Sequence, residues 1–353
     1  MKTIRQNVGI DVDSKELKVS YKKMFEDLSI KTIGSRTFKN TVVGFKALKV
    51  WIEKKMIKEL SIHFTMEATG VYYENLAYYF NEQDTYLVHI VLGNTSNAYF
   101  KSLNQKSKTD KIDAAGLAQM GLERQLPTWQ PMSSQMQDIK KLNRERLRLI
   151  REKTMVTNQL HAEKASYRPS KDIIYRYQKR IAFIEDQIKQ VIKDLKTKVA
   201  LDENLRQKIN KVCTIKGVAF KTAIGVIAEY NGFVLFKNRN QVVSYAGYDI
   251  ALNDSGTSIR GKSKISKKGN SYVRQMMYMS AMSAAVTDEH HKNYYTRIVD
   301  KTGIKMKGNV AIQRKLLLLI YTLFKNNVSY DPLHFLTVQK RLKPTNELVL
   351  NKE

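Results

Sequence analysis

Residues 7–21 read NVGIDVDSKELKVSY, and this stretch decides how the first half of the chain folds. An apolar run, NVGIDV (7–12), carries Asp11 just before its end; a polar turn built on Asp13 and Ser14 follows, and then ELKVSY (16–21) alternates Leu17, Val19 and Tyr21 with polar residues. A run bounded by Asp and Ser and followed by strict alternation is a pair of strands joined by a turn. Working outward, KTIGSRTF (31–38) gives a third strand, FKALKVWIEKK (45–55) a helix, SIHFTME (61–67) a strand, the residues after it a helix, and YLVHIVL (86–92) a further strand.

Three strands in succession, then strand, helix and strand, form a mixed α/β domain with a ribonuclease-H-like layout, in which acids at strand ends and on a later helix converge at one edge of the sheet. The candidates are Asp11, Glu67 in TMEATGVYYE (65–74), and Asp110 with Asp113 in KTDKIDAAGLAQMG (108–121). In the last segment a helix is expected, capped by Thr109, and a spacing of three puts both carboxylates on one of its faces. Each acid also has an ordinary reading. Asp110 complements a helix N-terminus, Asp113 pairs with Lys106 or Lys108, Asp11 makes a strand-end turn, and Glu67 is an interfacial carboxylate.

The acids stand out because the chain is basic: 61 Lys and Arg against 33 Asp and Glu give a net charge of +28 over 353 residues. A cation excess spread over the whole length favours a polyanionic partner, since each neutralised phosphate releases a counterion. Nucleic acid is the expected partner and no membrane is expected, because the longest apolar run, Leu316 to Phe324, falls far short of the ~20 residues that span a bilayer. The opening MKTIRQNVGID lacks the apolar core and cleavage site of a secretory signal, so a cytoplasmic location is expected. Cys213 is alone and the six histidines show no ligand spacing, so any metal must be held by oxygen.

From 137 to 200 the chain turns helical and charged, with 17 Lys/Arg against 8 Asp/Glu. Ile174, Tyr177, Ile181, Ile184, Ile188, Val191 and Leu195 keep 3,4 spacing, a coiled-coil-like seam. A looser seam runs through Ile139, Leu142, Leu149, Val156 and Leu160, and Pro169 separates the two helices. An intramolecular hairpin and a dimerising element both satisfy this pattern. Beyond it, NKVCTIKGVAFKTAIGVIAEYNGF (210–233) reads as helix, glycine turn at Gly217 and helix from near Lys221, like a helix-hairpin-helix, although Lys216 and Ala219 replace the usual proline and second glycine. A Gly/Ser-rich segment with six Lys/Arg and no acid within 255–274 then feeds a helix N-terminus, an arrangement suited to phosphate. The methionines at 276, 277, 279 and 282 fit core packing rather than a cofactor site.

GIDVDSKELKV, MEATGVYYENLA and KTDKIDAAGLA, followed by IKGVAFKTA, YAGYD, DSGTSIRGKSKISKKGN and VRQMMYMSAM, together resemble the DEDD transposases of the insertion-sequence IS110 group, bridge-RNA-guided recombinases, from about residue 7 to 328. The resemblance implies an α/β plus α architecture: a RuvC-like DEDD metal-binding domain over 1–130, a coiled-coil arm over 131–204, a mainly helical transposase domain over 205–330 and a polar tail over 331–353. It places Mg2+, or Mn2+, on Asp11, Glu67, Asp110 and Asp113, and a serine nucleophile on Ser255, the serine preceding the first glycine of SGTSIRG. Arg260, Lys262, Lys264, Lys267 and Lys268 would neutralise phosphates around it. The implied partners are donor and target DNA, a noncoding bridge RNA that reads the target by pairing, and further copies of the chain in a dimer or tetramer. Without that resemblance Ser255 is a turn residue of a basic loop, with Ser258 and Ser263 as the other candidate hydroxyls. Two other functions fit the residues: a structure-specific nuclease in which the acids activate water, and a non-catalytic nucleic-acid-packaging protein.

Overall fold

The computed structural model describes residues 1–68, 70–83, 85–104, 109–251, 254–255, 259–260 and 264–332. Lys106, Lys108, Ser258, Lys262, Ser263 and nearly all of the expected tail therefore lie outside the described residues. The chain divides into two compact units, Met1–Pro131 and Met132–Glu353.

The first unit runs β1 (Thr3–Val12), β2 (Glu16–Phe25), β3 (Ile30–Lys39), α1 (Val42–Glu53), β4 (Ile62–Glu67), α2 (Glu74–Asn81), β5 (Tyr86–Val91), α3 (Gly93–Ser102) and α4 (Asp110–Glu123). One five-stranded sheet has the order β3-β2-β1-β4-β5. β1, β2 and β3 pair antiparallel, whereas β4 and β5 run parallel to β1. That order and polarity are those of the ribonuclease-H-like layout expected from the sequence. Because side chains alternate along a strand, Val8, Ile10, Leu17, Val19 and Tyr21 all point to one face, where Phe45, Leu48 and Ile52 of α1 and Leu76 and Phe80 of α2 complete the core.

The opposite face carries Asn7, Gly9 and Asp11 of β1, and α4 lies directly on it. A methyl group at Gly9 would stand 2.1 Å from both the Ala114 carbonyl oxygen and the Ala118 nitrogen, so the helix backbone rests on the strand. Gly121 has the same role over β4, where a methyl would meet Asn7 Nδ2 at 2.1 Å and Thr65 Oγ1 at 2.4 Å. Asn7 is fully buried and donates to the Ala118 carbonyl at 2.7 Å, while Thr65 Oγ1 donates to Asn7 Oδ1 at 3.1 Å. Buried polar groups that are satisfied in this way fix one register of the helix on the sheet.

The second unit contains α5 (Ser134–Lys164), α6 (Lys171–Ala200), α7 (Glu203–Val212), α8 (Phe220–Glu229), α9 (Arg239–Ala246), α10 (Ser271–Thr287), α11 (Glu289–Thr302) and α12 (Lys305–Asn326), with short strands β6 (Ile250–Ala251), β7 (Asp254–Ser255), β8 (Ile259–Arg260) and β9 (Lys264–Ile265) between α9 and α10. Helices α5 and α6 pack antiparallel: Leu149 and Val156 bury against Ile184, Tyr177, Ile181, Ile188 and Val191, and Lys153 bridges Glu185 at 2.6 Å. The seam is thus met by a helix of the same chain. Of the four methionines expected in the core, Met276 and Met277 are buried, but Met279 and Met282 face solvent, because they fall on the side of α10 away from α8 and α12. Gly217 does make the turn between α7 and α8, at φ 90°, and a methyl there would meet the Ser280 carbonyl and Ala284 of α10 at 2.7–2.8 Å. Among the described residues no helix is long and apolar enough to cross a membrane.

Gly9→Ala is expected to destabilise the first unit by ~3 kcal/mol or more, since neither the strand nor the helix backbone can move aside. Thermal unfolding of the purified variant checks this; an unchanged midpoint would show that α4 does not depend on contact with the strand.

Candidate active site

Asp11 is the penultimate residue of β1, Glu67 the last of β4, and Asp110 and Asp113 lie in the first turn of α4. Thr109 caps that helix as the sequence suggested, its Oγ1 accepting from the Ile112 N–H at 3.3 Å. Two adjacent parallel strands therefore end in acids at the same edge of the sheet, and α4, pressed onto β1, brings its N-terminus there. Asp11 feels the other three. The Asp11 carboxyl is pushed up from 3.8 to about 6, first by burial and then by the negative charges of Asp110, Asp113 and Glu67, with the Val12 N–H opposing the shift. The partly positive end of α4 favours acids in its first turn.

Glu67 is held by residues that the sequence reading did not single out. The buried Ser96 hydroxyl, on α3, lies 2.5 Å from Glu67 Oε2. Gly93, which opens α3, leaves room for the other oxygen, since a methyl there would stand 2.9 Å from Glu67 Oε1. A glycine two residues after the end of strand β5, followed three residues on by a serine, was the available signal in VLGNTS (91–96). The histidines form a separate structural pair. His89 Nδ1 donates to the Pro127 carbonyl at 3.0 Å and its Nε2 takes a bond from His63 Nδ1 at 2.8 Å, and burial pushes His63 down to about 4.

These donors suit a hard divalent cation: all are carboxylate oxygens, and they repel one another in a way that a cation would relieve. The fit is one of charge and donor type. Among the described residues no three His, Cys, Asp or Glu side chains are grouped closely enough to hold a metal ion.

In the second unit, the basic segment is more ordered than a plain loop. Ile250–Ala251 pairs with Lys264–Ile265 and, inside that in sequence, Asp254–Ser255 pairs with Ile259–Arg260, so Ser255 and Arg260 sit on a two-stranded antiparallel ribbon. Lys264, Lys267 and Lys268 are exposed along its return strand and the residues that follow. The base of the ribbon is tied together by a group the sequence reading also missed. The Glu229 side chain is fully buried, grips Arg144 through two bonds of 2.7 and 2.9 Å, and accepts from Asn270 Nδ2 at 2.7 Å. Asn270 Oδ1 in turn caps α10 through the Tyr272 and Val273 N–H groups, and its own N–H meets the Tyr245 carbonyl at 2.7 Å. YAGYD and SKKGN thus close on each other.

A ribonuclease-H-like sheet with acids at its β1 and β4 ends and on the following helix, in a chain this basic, defines a class of DNA-processing enzymes. Two family profiles match the chain: the DEDD_Tnp_IS110 transposase over residues 8–166, which contains all four acids, and the Transposase IS116/IS110/IS902 family over residues 209–296, which contains Ser255. The chain belongs to this family of transposases. It is similar to the pilin gene-inverting proteins of Moraxella bovis and Moraxella lacunata, each 29% identical over 300 residues that cover 84% of this chain and 90% of the relative. Use of a divalent metal accords with membership of a DEDD family.

Two outcomes follow from the geometry. Since the Asp11 carboxyl ionises near 6 in the fold and near 3.8 when unfolded, the folded form holds its proton more tightly and stability falls as pH rises between those values. In chelator, Asp11→Asn should therefore raise stability by about 1–2 kcal/mol at neutral pH, after allowance for solvent screening, and by almost nothing well below pH 4. Unfolding midpoints across a pH series measure this. Ser96→Ala, which strips Glu67 of its donor, is expected to weaken Mn2+ binding ~10-fold or more with little loss of stability; Mn2+ titration followed by electron paramagnetic resonance reads it, and wild-type affinity in the variant would dismiss the contact.

Proposed function

We propose that this transposase cuts and rejoins DNA through a phosphoserine intermediate on Ser255, with Asp11, Glu67, Asp110 and Asp113 as its metal-binding tetrad. The observation that carries the reading is Asp11, whose carboxyl is pushed up to about 6 by burial and then by the charges of Asp110, Asp113 and Glu67, inside a protein of net charge +28. A hydroxyl is a poor nucleophile at neutral pH. Mg2+ or Mn2+ held by the tetrad would supply positive charge at the phosphate and ease loss of the hydroxyl proton. The Ser255 oxygen forms a bond to phosphorus, one bridging P–O bond of the DNA breaks, and the leaving DNA oxygen gains a proton. The reverse attack by a DNA hydroxyl frees the serine and joins the strand, so bond energy is conserved. Relatives named for inverting a pilin gene support cutting coupled to rejoining, because inverting a segment needs both.

Arg260, Lys262, Lys264, Lys267 and Lys268 line the sequence around Ser255 with charge for the DNA backbone. Target choice is read by a noncoding bridge RNA pairing with donor and target DNA, and the protein acts as a dimer or tetramer whose basic arm helices, α5 and α6, contact the nucleic acid or a second copy. A second reading, a RuvC-like nuclease that uses water, is supported by one observation: Asp11, Glu67, Asp110 and Asp113 all belong to the unit Met1–Pro131, and the other three charges act on Asp11 there.

The test uses bacterial cells carrying the gene with its native flanking DNA. Ser255→Ala and Asp11→Asn should each lower recombination junctions by at least ~100-fold, and denatured wild-type protein should carry a covalent DNA adduct that Ser255→Ala lacks. Strand cleavage that survives Ser255→Ala leaves the water-using nuclease, and activity that survives Asp11→Asn removes the tetrad.

A further inference from the structure

The acids have a cation for a neighbour. In the antiparallel register of β1 and β2, Lys18 stands directly opposite Asp11, and opposed residues of such a pair project their side chains to the same face. The alternation of β2 agrees: Leu17, Val19 and Tyr21 are in the core beneath α1, whereas Lys18, Ser20 and Lys22 face the α4 side. Lys22 is occupied there, its Nζ lying 3.3 Å from Gln119 Oε1 of α4. Lys18 is engaged differently. Its Nζ is 2.5 Å from Oε2 of Glu16, a side chain 52% exposed, at the solvent edge of its own strand. This ion pair with Glu16 is the main influence that raises the Lys18 pKa, and the charges of Asp110 and Asp13 add to it. An exposed pair of this kind holds weakly, so the ammonium can leave Glu16 when a stronger anion arrives.

We infer that Lys18 is a further catalytic residue, whose ammonium turns from Glu16 to a non-bridging oxygen of the phosphate being cut. The inference rests on the reading of Asp11, Glu67, Asp110 and Asp113 as the phosphate-cleaving centre. Phosphoryl transfer spreads negative charge over the equatorial oxygens of the phosphate, and four carboxylates beside it repel that charge. The positive charge of Lys18 on the same face, one strand away from Asp11, offsets the repulsion from the direction of β2, where the tetrad has no member. Lysine suits this position because it acts as a point charge on a long stem. It needs only to rotate about its side-chain torsions, since its strand stays paired on both sides, to Val12–Thr3 through β1 and to Lys39–Ile30 through β3.

The experiment compares Lys18→Met, Lys18→Arg and Asp11→Asn in the full chain, in cells carrying the gene with its native flanks. Lys18→Met should lower recombination junctions ~100-fold, while the purified variant keeps its unfolding midpoint, its affinity for a plasmid bearing the same flanks within ~3-fold, and its Mn2+ affinity. Lys18→Arg should restore most of the loss, because it returns the charge at similar reach. Junctions near the wild-type level in Lys18→Met, with Asp11→Asn inactive, overturn the role of Lys18 and leave the tetrad standing; activity in Asp11→Asn removes the tetrad itself. Weaker Mn2+ binding or a lower unfolding midpoint in Lys18→Met, unrelieved by Arg, would make Lys18 a support for the carboxylates and end the inference.

Discussion

The first unit depends on the direct contact between the backbone of α4 and strand β1. Gly9 lets the strand touch the helix at Ala114 and Ala118, Gly121 lets the helix cover Asn7 and Thr65, and Gly116 admits the ring of Phe100 from α3, at a point where a methyl would lie 2.6 Å from it. Three glycines that do not neighbour one another in sequence thus make one interface, and Asn7 locks it by bonding helix carbonyls otherwise occupied only within the helix. Everything at the acid edge follows from how far along β1 the helix comes to rest.

The same contact generates electrostatic tension. Asp110 and Asp113 are comfortable in the first turn of a helix, and Asp11 and Glu67 end strands that need no acid there. Packing brings Asp11 under their influence, and its own burial, followed by the charges of Asp110, Asp113 and Glu67, raises its pKa. The protein accepts this because the glycine contacts and the core under α1 and α2 are strong enough to hold the arrangement. Ser96 and Gly93 add local order, Ser96 by bonding one oxygen of Glu67 and Gly93 by making room for the other.

In the second unit the corresponding anchor is the buried Glu229. A charge without solvent needs full pairing, and Arg144 from α5, Asn270 before α10 and the YAGYD segment all converge to supply or share that pairing. The arm and the base of the ribbon are therefore bonded to one carboxylate, a link between α5 and the Ser255 segment made inside a single unit.

The strands and helices of the first unit were legible because alternation and 3,4 spacing are local properties: Leu17, Val19 and Tyr21, or the α6 seam, declare their buried faces without reference to distant residues. Asp11, Glu67, Asp110 and Asp113 could be named for the same reason, as acids in apolar or well-capped contexts within a basic chain. Ser96, Glu229, Asn270 and Lys18 gave no such local sign, since each matters through a partner that is remote in sequence or across a strand pair. Met279 and Met282 looked like core residues because periodicity marks an apolar side of α10 without saying how much of it will be covered. Sequence alone determined which segments form elements, where the charge lies and which carboxylates are candidates. Only tertiary structure decided that Asp11 feels the charges of Asp110, Asp113 and Glu67, because that depends on a close approach of helix to strand that glycines permit but do not specify.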